Sequence, residues 1–215
     1  MRPMLKYCGN QSLADLRLVN ASRADYIGFI FTEKSKRTVQ PQQVADWLRR
    51  APLRPGKQLV GVFADDAEET IAGTLGHVAL DVLQFHGNET PEFVRRIKQT
   101  SGRRVWKALH HGADTQLQMQ RFAGSVDGYI VDTKVAGQLG GTGQSFDWAS
   151  VPGYKAEAAR QGVRCLIAGG IRPQTITRLL SFQPDGIDIA SGIERNDQKD
   201  GTLIQLIEEK VCETQ

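Results

Sequence analysis

The chain has 215 residues, 40% hydrophobic and 24% charged, an ordinary globular composition that argues against disorder. Its 27 basic and 24 acidic residues leave a net charge of +3 that is scattered along the chain, so no basic stripe points to nucleic acid and a small anionic ligand fits better. Three cysteines, at positions 8, 165 and 212, are odd in number and lack CxxC spacing, which speaks against a disulfide framework and a structural zinc site and fits a reducing cytoplasm.

Short β-type runs recur along the chain with helical patterns between them. The first covers residues 5–8, and Ser12 signals a helix start ahead of Leu13 and Leu16. The second covers 26–31 and leads into a polar loop, 32–40, before Pro41 opens a helix through Val44, Trp47 and Leu48. After the third run, 58–63, Asp65 or Asp66 is the expected start of a helix containing Ile71; after the fourth, 81–85, Pro91 precedes Phe93, Val94 and Ile97. Runs at 105–108, 128–131, 164–168 and 186–190 complete the set of eight.

Eight strand and helix pairs at about 27 residues each predict an α/β fold, a (β/α)8 TIM barrel occupying residues 1–215 as a single domain. An open doubly wound sheet is the competitor, but the first turn lacks GxGxxG and the glycine loops come late. The N-terminus has no apolar signal region, and no apolar run approaches the roughly 18 residues of a membrane span. A soluble, untargeted protein without membrane partners is expected.

In such barrels the active site forms at the carboxyl ends of the strands, and phosphate commonly sits on the loops after strands seven and eight. Three glycine-bearing loops follow strands six, seven and eight: Gly140-Gly141-Thr142-Gly143, Ala168-Gly169-Gly170 and Ala190-Ser191-Gly192. Glycine lets backbone N–H groups approach a phosphate, although glycines also simply end strands. Cys8 and Asp132 close strands one and six, three apart on the ring. A thiol and a carboxyl there can serve as a base and an acid on one cavity, although cysteine is also among the residues most often buried and inert.

Further stretches carry a resemblance: Lys6-Tyr7-Cys8-Gly9, Gly28-Phe29-Ile30-Phe31 with Ser35-Lys36-Arg37, Val60-Gly61-Val62-Phe63, and Leu83-Gln84-Phe85-His86-Gly87. Val131-Asp132-Thr133, the three glycine loops, Phe146-Asp147-Trp148, and the run from Gly186 through Asp188 to Glu194 continue it. In this order, over nearly the whole chain, they resemble the phosphoribosylanthranilate isomerase family of tryptophan biosynthesis. The resemblance implies an Amadori rearrangement of a small phosphoribosyl substrate, N-(5-phosphoribosyl)anthranilate, to 1-(2-carboxyphenylamino)-1-deoxyribulose 5-phosphate, with no cofactor and no metal. It implies Asp132 as acid toward the ring oxygen, Cys8 as base toward the C2′ proton, and Arg37 as holder of the anthranilate carboxylate. His86 becomes a substrate contact and Asp188 a polar wall residue near the anthranilate ring. Gly141, Thr142 and Gly143, with Gly169, Gly170, Ser191 and Gly192, are the expected phosphate ligands, and a monomer is preferred.

Acid and base work near neutral pH asks for a carboxyl raised from about 3.9 and a thiol lowered from about 8.5. Lys6 shares the strand face of Cys8 through the period of two, so its ammonium is expected to stabilise the thiolate. Asp188, between Ile187 and Ile189, is expected to point into the barrel and to need a partner there. No second histidine is expected beside His86, since His77 falls in a helix and His110-His111 follow strand five. Cys165 and Cys212 are expected to be structural. Loop 133–147 is expected to bind phosphate and close over the ligand, and Asp200 to cap the last helix. Lys36 stands where the family commonly has proline, and Asn196-Asp197-Gln198-Lys199-Asp200 replaces a more glycine-containing pattern.

Three rival functions would each leave a different mark on the sequence. A sister isomerase of histidine biosynthesis would show two half-barrels and an Asp at the end of strand one. A ribulose-phosphate epimerase would show paired His and Asp metal ligands. A non-catalytic phosphosugar-binding barrel would have no use for the pair Cys8 and Asp132.

Overall fold

Apolar runs of four to seven residues are buried on both faces when helices cover one side of a parallel sheet and a barrel interior the other, and that is how this chain folds. The computed structural model describes residues 2–133 and 147–213. Eight parallel strands close in chain order: β1 (Met4–Tyr7), β2 (Tyr26–Ile30), β3 (Gln58–Phe63), β4 (Val82–Phe85), β5 (Arg104–His110), β6 (Gly128–Asp132), β7 (Arg164–Ala168) and β8 (Gly186–Ile189). Around them run α1 (Leu13–Ala21), α2 (Pro41–Arg50), α3 (Glu68–His77), α4 (Pro91–Ser101), α5 (Thr115–Arg121), α6 (Val151–Arg160), α7 (Ile176–Leu180) and α8 (Gly201–Glu213). All eight expected strands form, most with ends moved by one or two residues: Cys8 lies just past β1, and β5 extends to include His110.

Most start signals act as expected. The Ser12 hydroxyl accepts the Asp15 N–H at 3.0 Å, Pro41 and Pro91 open their helices, and Asp200 accepts the Leu203 N–H at 2.9 Å. The expected start at Asp65 or Asp66 is corrected. Ala67 is the residue before α3, while the Asp65 carboxylate bonds Lys34 and Asn88 and Asp66 accepts the Ala64 N–H.

The amino end of the barrel shows a repeated device. Asp25, Asp81, Asp127 and Asp185 each immediately precede an even-numbered strand and accept the N–H of Leu5, Leu59, Val105 and Cys165 on the strand before, at 2.8, 2.7, 2.8 and 3.1 Å. A charge-assisted bond of this kind fixes the stagger of each strand pair. Asp81 therefore belongs to a clamp and not to β4, where the sequence pattern placed it.

Two apolar clusters fill the molecule. The larger lies between the strands and the helices and includes Leu5, Tyr7, Phe29, Phe63, Phe85 and Tyr129. The smaller gathers Tyr26, Val60, Val82, Trp106, Ala108, Ile130, Leu166 and Ala168, and the Tyr26 and Trp106 rings meet edge to face at 4.7 Å. Side chains alternate along a strand, so residues two positions beyond these share the same inward face, nearer the carboxyl ends. Val62, Gln84, Asp132, Ala168 and Gly170 are among them and line a cavity there.

Candidate active site

Cys8, Ile30, Arg37, Val62, Gln84, His86, Asp132 and Asp188 line one cavity at the carboxyl ends of the strands, together with Ala168, Gly169, Gly170, Ser191 and Gly192. The closed ring thus brings the expected acid, base, carboxylate holder and two of the glycine loops onto one space. Gly141, Thr142 and Gly143 lie outside the described residues, as does most of loop 133–147.

Asp132 ends β6 and is buried, with its Oδ1 accepting the Thr133 N–H at 2.7 Å. Burial, then the nearby charge of Asp188, push its carboxyl up to about 7, so close to half of it holds a proton at neutrality. His86 Nε2 lies 3.8 Å from Asp132 Oδ2, too far for a hydrogen bond. Burial, followed by Lys107, His110 and Lys6, lowers the imidazole to about 3, so His86 is neutral. The expectation of no neighbouring histidine is corrected: the His110 ring lies 5.8 Å from that of His86, because β5 reaches as far as the site.

Lys6 is wholly buried and donates to both oxygens of Asp188 at 2.9 Å, which supplies the partner Asp188 was expected to need. Burial opposes the ammonium, but Asp188 and Cys8 outweigh it and its pKa rises. The thiol moves the other way from the expectation: burial pushes Cys8 up, Lys6 and Lys199 pull it down, Asp188 opposes them, and burial wins. Much of the Lys6 charge is already matched by Asp188. Cys165 is buried with its thiol also pushed up, in keeping with a structural role.

Arg37 is buried and held by Glu194, with Nε at 3.0 and 3.2 Å from its two oxygens and Nη2 at 2.6 Å from Oε2. Glu194 also takes a bond from Lys199 Nζ at 2.7 Å. The sequence reading gave neither residue a role, since an isolated Glu and Lys in a polar stretch look like solvated surface. Gln84 was likewise missed. It is buried on the same inward face as His86, and among the described residues Gln84 Oε1 and His86 Nε2 find no hydrogen-bond partner. Polar atoms buried at a cavity wall in this state are ready for a polar ligand.

The two described glycine loops touch backbone to backbone. Gly169 and Gly170 sit at φ 86° and 66°, and a Cβ added to Gly192 would lie 1.7 Å from the Ile171 carbonyl oxygen. A short 3-10 turn, Ser191–Ile193, begins there. Among the described residues no group of three or more His, Cys, Asp or Glu could hold a metal ion, and no helix is long and apolar enough to cross a membrane.

A family model described as N-(5'phosphoribosyl)anthranilate (PRA) isomerase matches residues 5–210. The N-(5'-phosphoribosyl)anthranilate isomerase of Geobacillus thermodenitrificans is 53% identical over 206 residues, covering 96% of this chain and 92% of that protein. The crystal structure of phosphoribosyl anthranilate isomerase from Thermotoga maritima superposes with a TM-score of 0.84 at 26% identity, covering 98% of this chain and 99% of that one. A further isomerase structure, in complex with reduced 1-(o-carboxyphenylamino)-1-deoxyribulose 5-phosphate, gives 0.81 at 25% identity over the same shares.

Proposed function

The chain belongs to the N-(5'-phosphoribosyl)anthranilate isomerase family, and on that premise we propose that Asp132 is the general acid and Cys8 the general base of its reaction. The reaction is the Amadori rearrangement of N-(5'-phosphoribosyl)anthranilate to 1-(2-carboxyphenylamino)-1-deoxyribulose 5-phosphate, a step of tryptophan biosynthesis. The observation that carries the assignment is the convergence of Cys8 and Asp132 on one cavity, with the Asp132 carboxyl raised to about 7.

A carboxyl poised near neutrality suits delivery of a proton to the furanose oxygen. Ring opening leaves an iminium cation, and a cation beside Cys8 offsets the burial that disfavours the thiolate. Cys8 gives its thiol proton to solvent, the thiolate takes the C2′ proton, and the enol so formed takes a proton at C1′ and releases its hydroxyl proton to give the ketone. Lys6 and Lys199 assist it by charge. Neutral His86 contributes as a hydrogen-bonding contact to the substrate, and Asp188, held by Lys6, forms the polar wall beside the anthranilate ring.

Arg37 receives the anthranilate carboxylate, a role its planar fork suits. Gly169, Gly170, Ser191 and Gly192 offer backbone N–H groups to the phosphate, and the family resemblance assigns Gly141, Thr142 and Gly143 to the same group. With Asp132 protonated, the buried cations Arg37, Lys6 and Lys199 outnumber the carboxylates of Asp188 and Glu194 by one, which favours an anionic substrate.

We also read residues 1–215 as one catalytic domain, acting as a monomer in the cytoplasm. Among the described residues, exposure of large apolar side chains is confined to Leu18, Leu117 and Leu206, and all three cysteines are free thiols, as a reducing compartment would keep them. Light scattering after gel filtration tests the monomer.

The acid and base roles are tested by following the loss of substrate fluorescence, with phosphoribosylanthranilate generated in situ. Wild-type turnover with Cys8→Ala and Asp132→Asn each reduced by at least about a hundredfold is expected. Full activity in Cys8→Ala would require another base, and full activity in Asp132→Asn another acid.

A further inference from the structure

Between β8 and α8 the chain forms a small hairpin, β9 (Glu194–Arg195) and β10 (Gln198–Lys199). Its turn residues, Asn196 and Asp197, both take left-handed backbone, at φ 53° and 59°. Two central residues of positive φ are the mark of the tight I′ turn, and Asn and Asp tolerate it best after glycine. The register sets Lys199 directly opposite Glu194.

Lys199 Nζ donates to Glu194 Oε1 at 2.7 Å, to the Cys8 carbonyl at 2.6 Å and to the Ala190 carbonyl at 3.3 Å. All three ammonium protons meet acceptors. The hairpin is seated on α1 through the Lys199 N–H, which donates to Asp15 Oδ1 at 3.0 Å. Lys36, beside Arg37, pairs with Asp197 at the turn at 2.6 Å, so two residues that depart from the family pattern meet each other.

The guanidinium of Arg37 has two donor edges. Glu194 takes the edge made by Nε and Nη2, and Nη1 makes no hydrogen bond among the described residues. Both side chains are 5% exposed, so the pair is dry and its geometry is set by those bonds rather than by solvent.

We propose that Glu194 is a positioning residue for the reaction: anchored by Lys199 to the backbone of Cys8, it fixes the Arg37 fork so that the free edge meets the substrate carboxylate. The inference rests on the role assigned to Arg37 above. A residue that only stabilised the loop would lower the amount of folded protein and leave substrate binding by that protein unchanged. A residue that aims Arg37 acts on binding through Arg37 alone.

The test is a double-mutant cycle on KM and kcat with N-(5'-phosphoribosyl)anthranilate as substrate, using Glu194→Gln, Arg37→Met and the two combined. Glu194→Gln is expected to raise KM at least about tenfold with kcat within about threefold of wild type, as for loss of uniform binding. The combined variant is expected to bind no more weakly than Arg37→Met alone. Because Glu194→Gln leaves Lys199 buried without its partner, Glu194→Gln with Lys199→Met keeps the net charge of the wild type and must show the same rise in KM if the first variant does not fold.

Two results would overturn the inference in different ways. A raised KM in Arg37→Met with KM unchanged in Glu194→Gln removes the positioning role and leaves Arg37 as assigned. An unchanged KM in Arg37→Met removes the role of Arg37, and that of Glu194 with it.

Discussion

Gly169→Ala separates damage to the fold from damage to Asp132, the proposed acid. Gly169 holds φ 86°, and a Cβ added there would lie 2.2 Å from Thr133 Oγ1, 2.9 Å from Thr133 Cβ and 2.7 Å from Asp132 Oδ1. Carbon and oxygen sit comfortably at about 3.3 Å, so Thr133 Oγ1 must retreat by about 1.1 Å and Asp132 Oδ1 by about 0.6 Å. The two groups move together, because the Thr133 N–H donates to Asp132 Oδ1 and the branched threonine has little rotamer freedom. The left-handed backbone costs an alanine about 1–2 kcal/mol. For a chain of this size that lowers Tm by about 2–8 °C, so the variant stays folded at assay temperature. A catalytic group displaced by about 1 Å can cost about a hundredfold in rate. Calorimetry for Tm and the fluorescence assay for kcat are therefore expected to show a small stability loss with a large rate loss. The expected fall in Tm with kcat within about threefold of wild type would show that the proposed acid does not depend on this contact.

Three further outcomes follow from buried charge. His86 titrates at about 3 in the folded chain but near 6.5 when unfolded, so the unfolded chain takes up its proton first and stability falls as pH drops from about 6.5 toward 3. Asp132, raised to about 7, acts in the opposite sense below that pH; urea unfolding is thus expected to show His86→Gln gaining about 2 kcal/mol relative to wild type between pH 7 and 5, and no relative gain would refute the neutral imidazole. Asp188→Asn removes a negative charge that raises Asp132, so the Asp132 carboxyl, followed by infrared titration, is expected to ionise below about 7; an unmoved titration would leave burial as the sole cause. Lys107 Nζ bonds Glu89 at 2.9 Å with both side chains nearly inaccessible, so Lys107→Met is expected to cost about 3–5 kcal/mol in denaturant unfolding, whereas Lys34→Ala at the exposed Asp65 pair is expected to leave the unfolding midpoint unmoved.

The barrel was legible because each strand is a short apolar run and because Ser12, Pro41 and Pro91 punctuate the helices chemically. Cys8 and Asp132 were legible as strand-end residues, and the walls built from Arg37, His86 and Asp188 as part of a recurring motif set. What escaped depends on how separate strands are staggered. His110 reaches His86 only because β4 pairs with β5 in a register that sets Phe85 beside Lys107, which no local pattern encodes. The direction of the Cys8 shift escaped for a related reason: the period of two put Lys6 beside the thiol, but the pairing of Lys6 with Asp188 across β1 and β8 decides how much of its charge is left. Glu194 and Lys199 lay in a stretch that reads as solvated loop until the hairpin folds them together. One signal was present and unused. An aspartate stands directly before Tyr26, Val82, Gly128 and Gly186, at every second strand, and that spacing marks the register clamps.

The inner apolar cluster has a consequence for traffic. Tyr26, Val60, Val82, Trp106, Ile130 and Leu166 fill the barrel axis beneath the site. Among the described residues the chamber is sealed at its floor, so substrate and product share the mouth at the carboxyl ends of the strands. Product that lingers blocks the doorway itself, and its inhibition is expected to be competitive with substrate at every concentration.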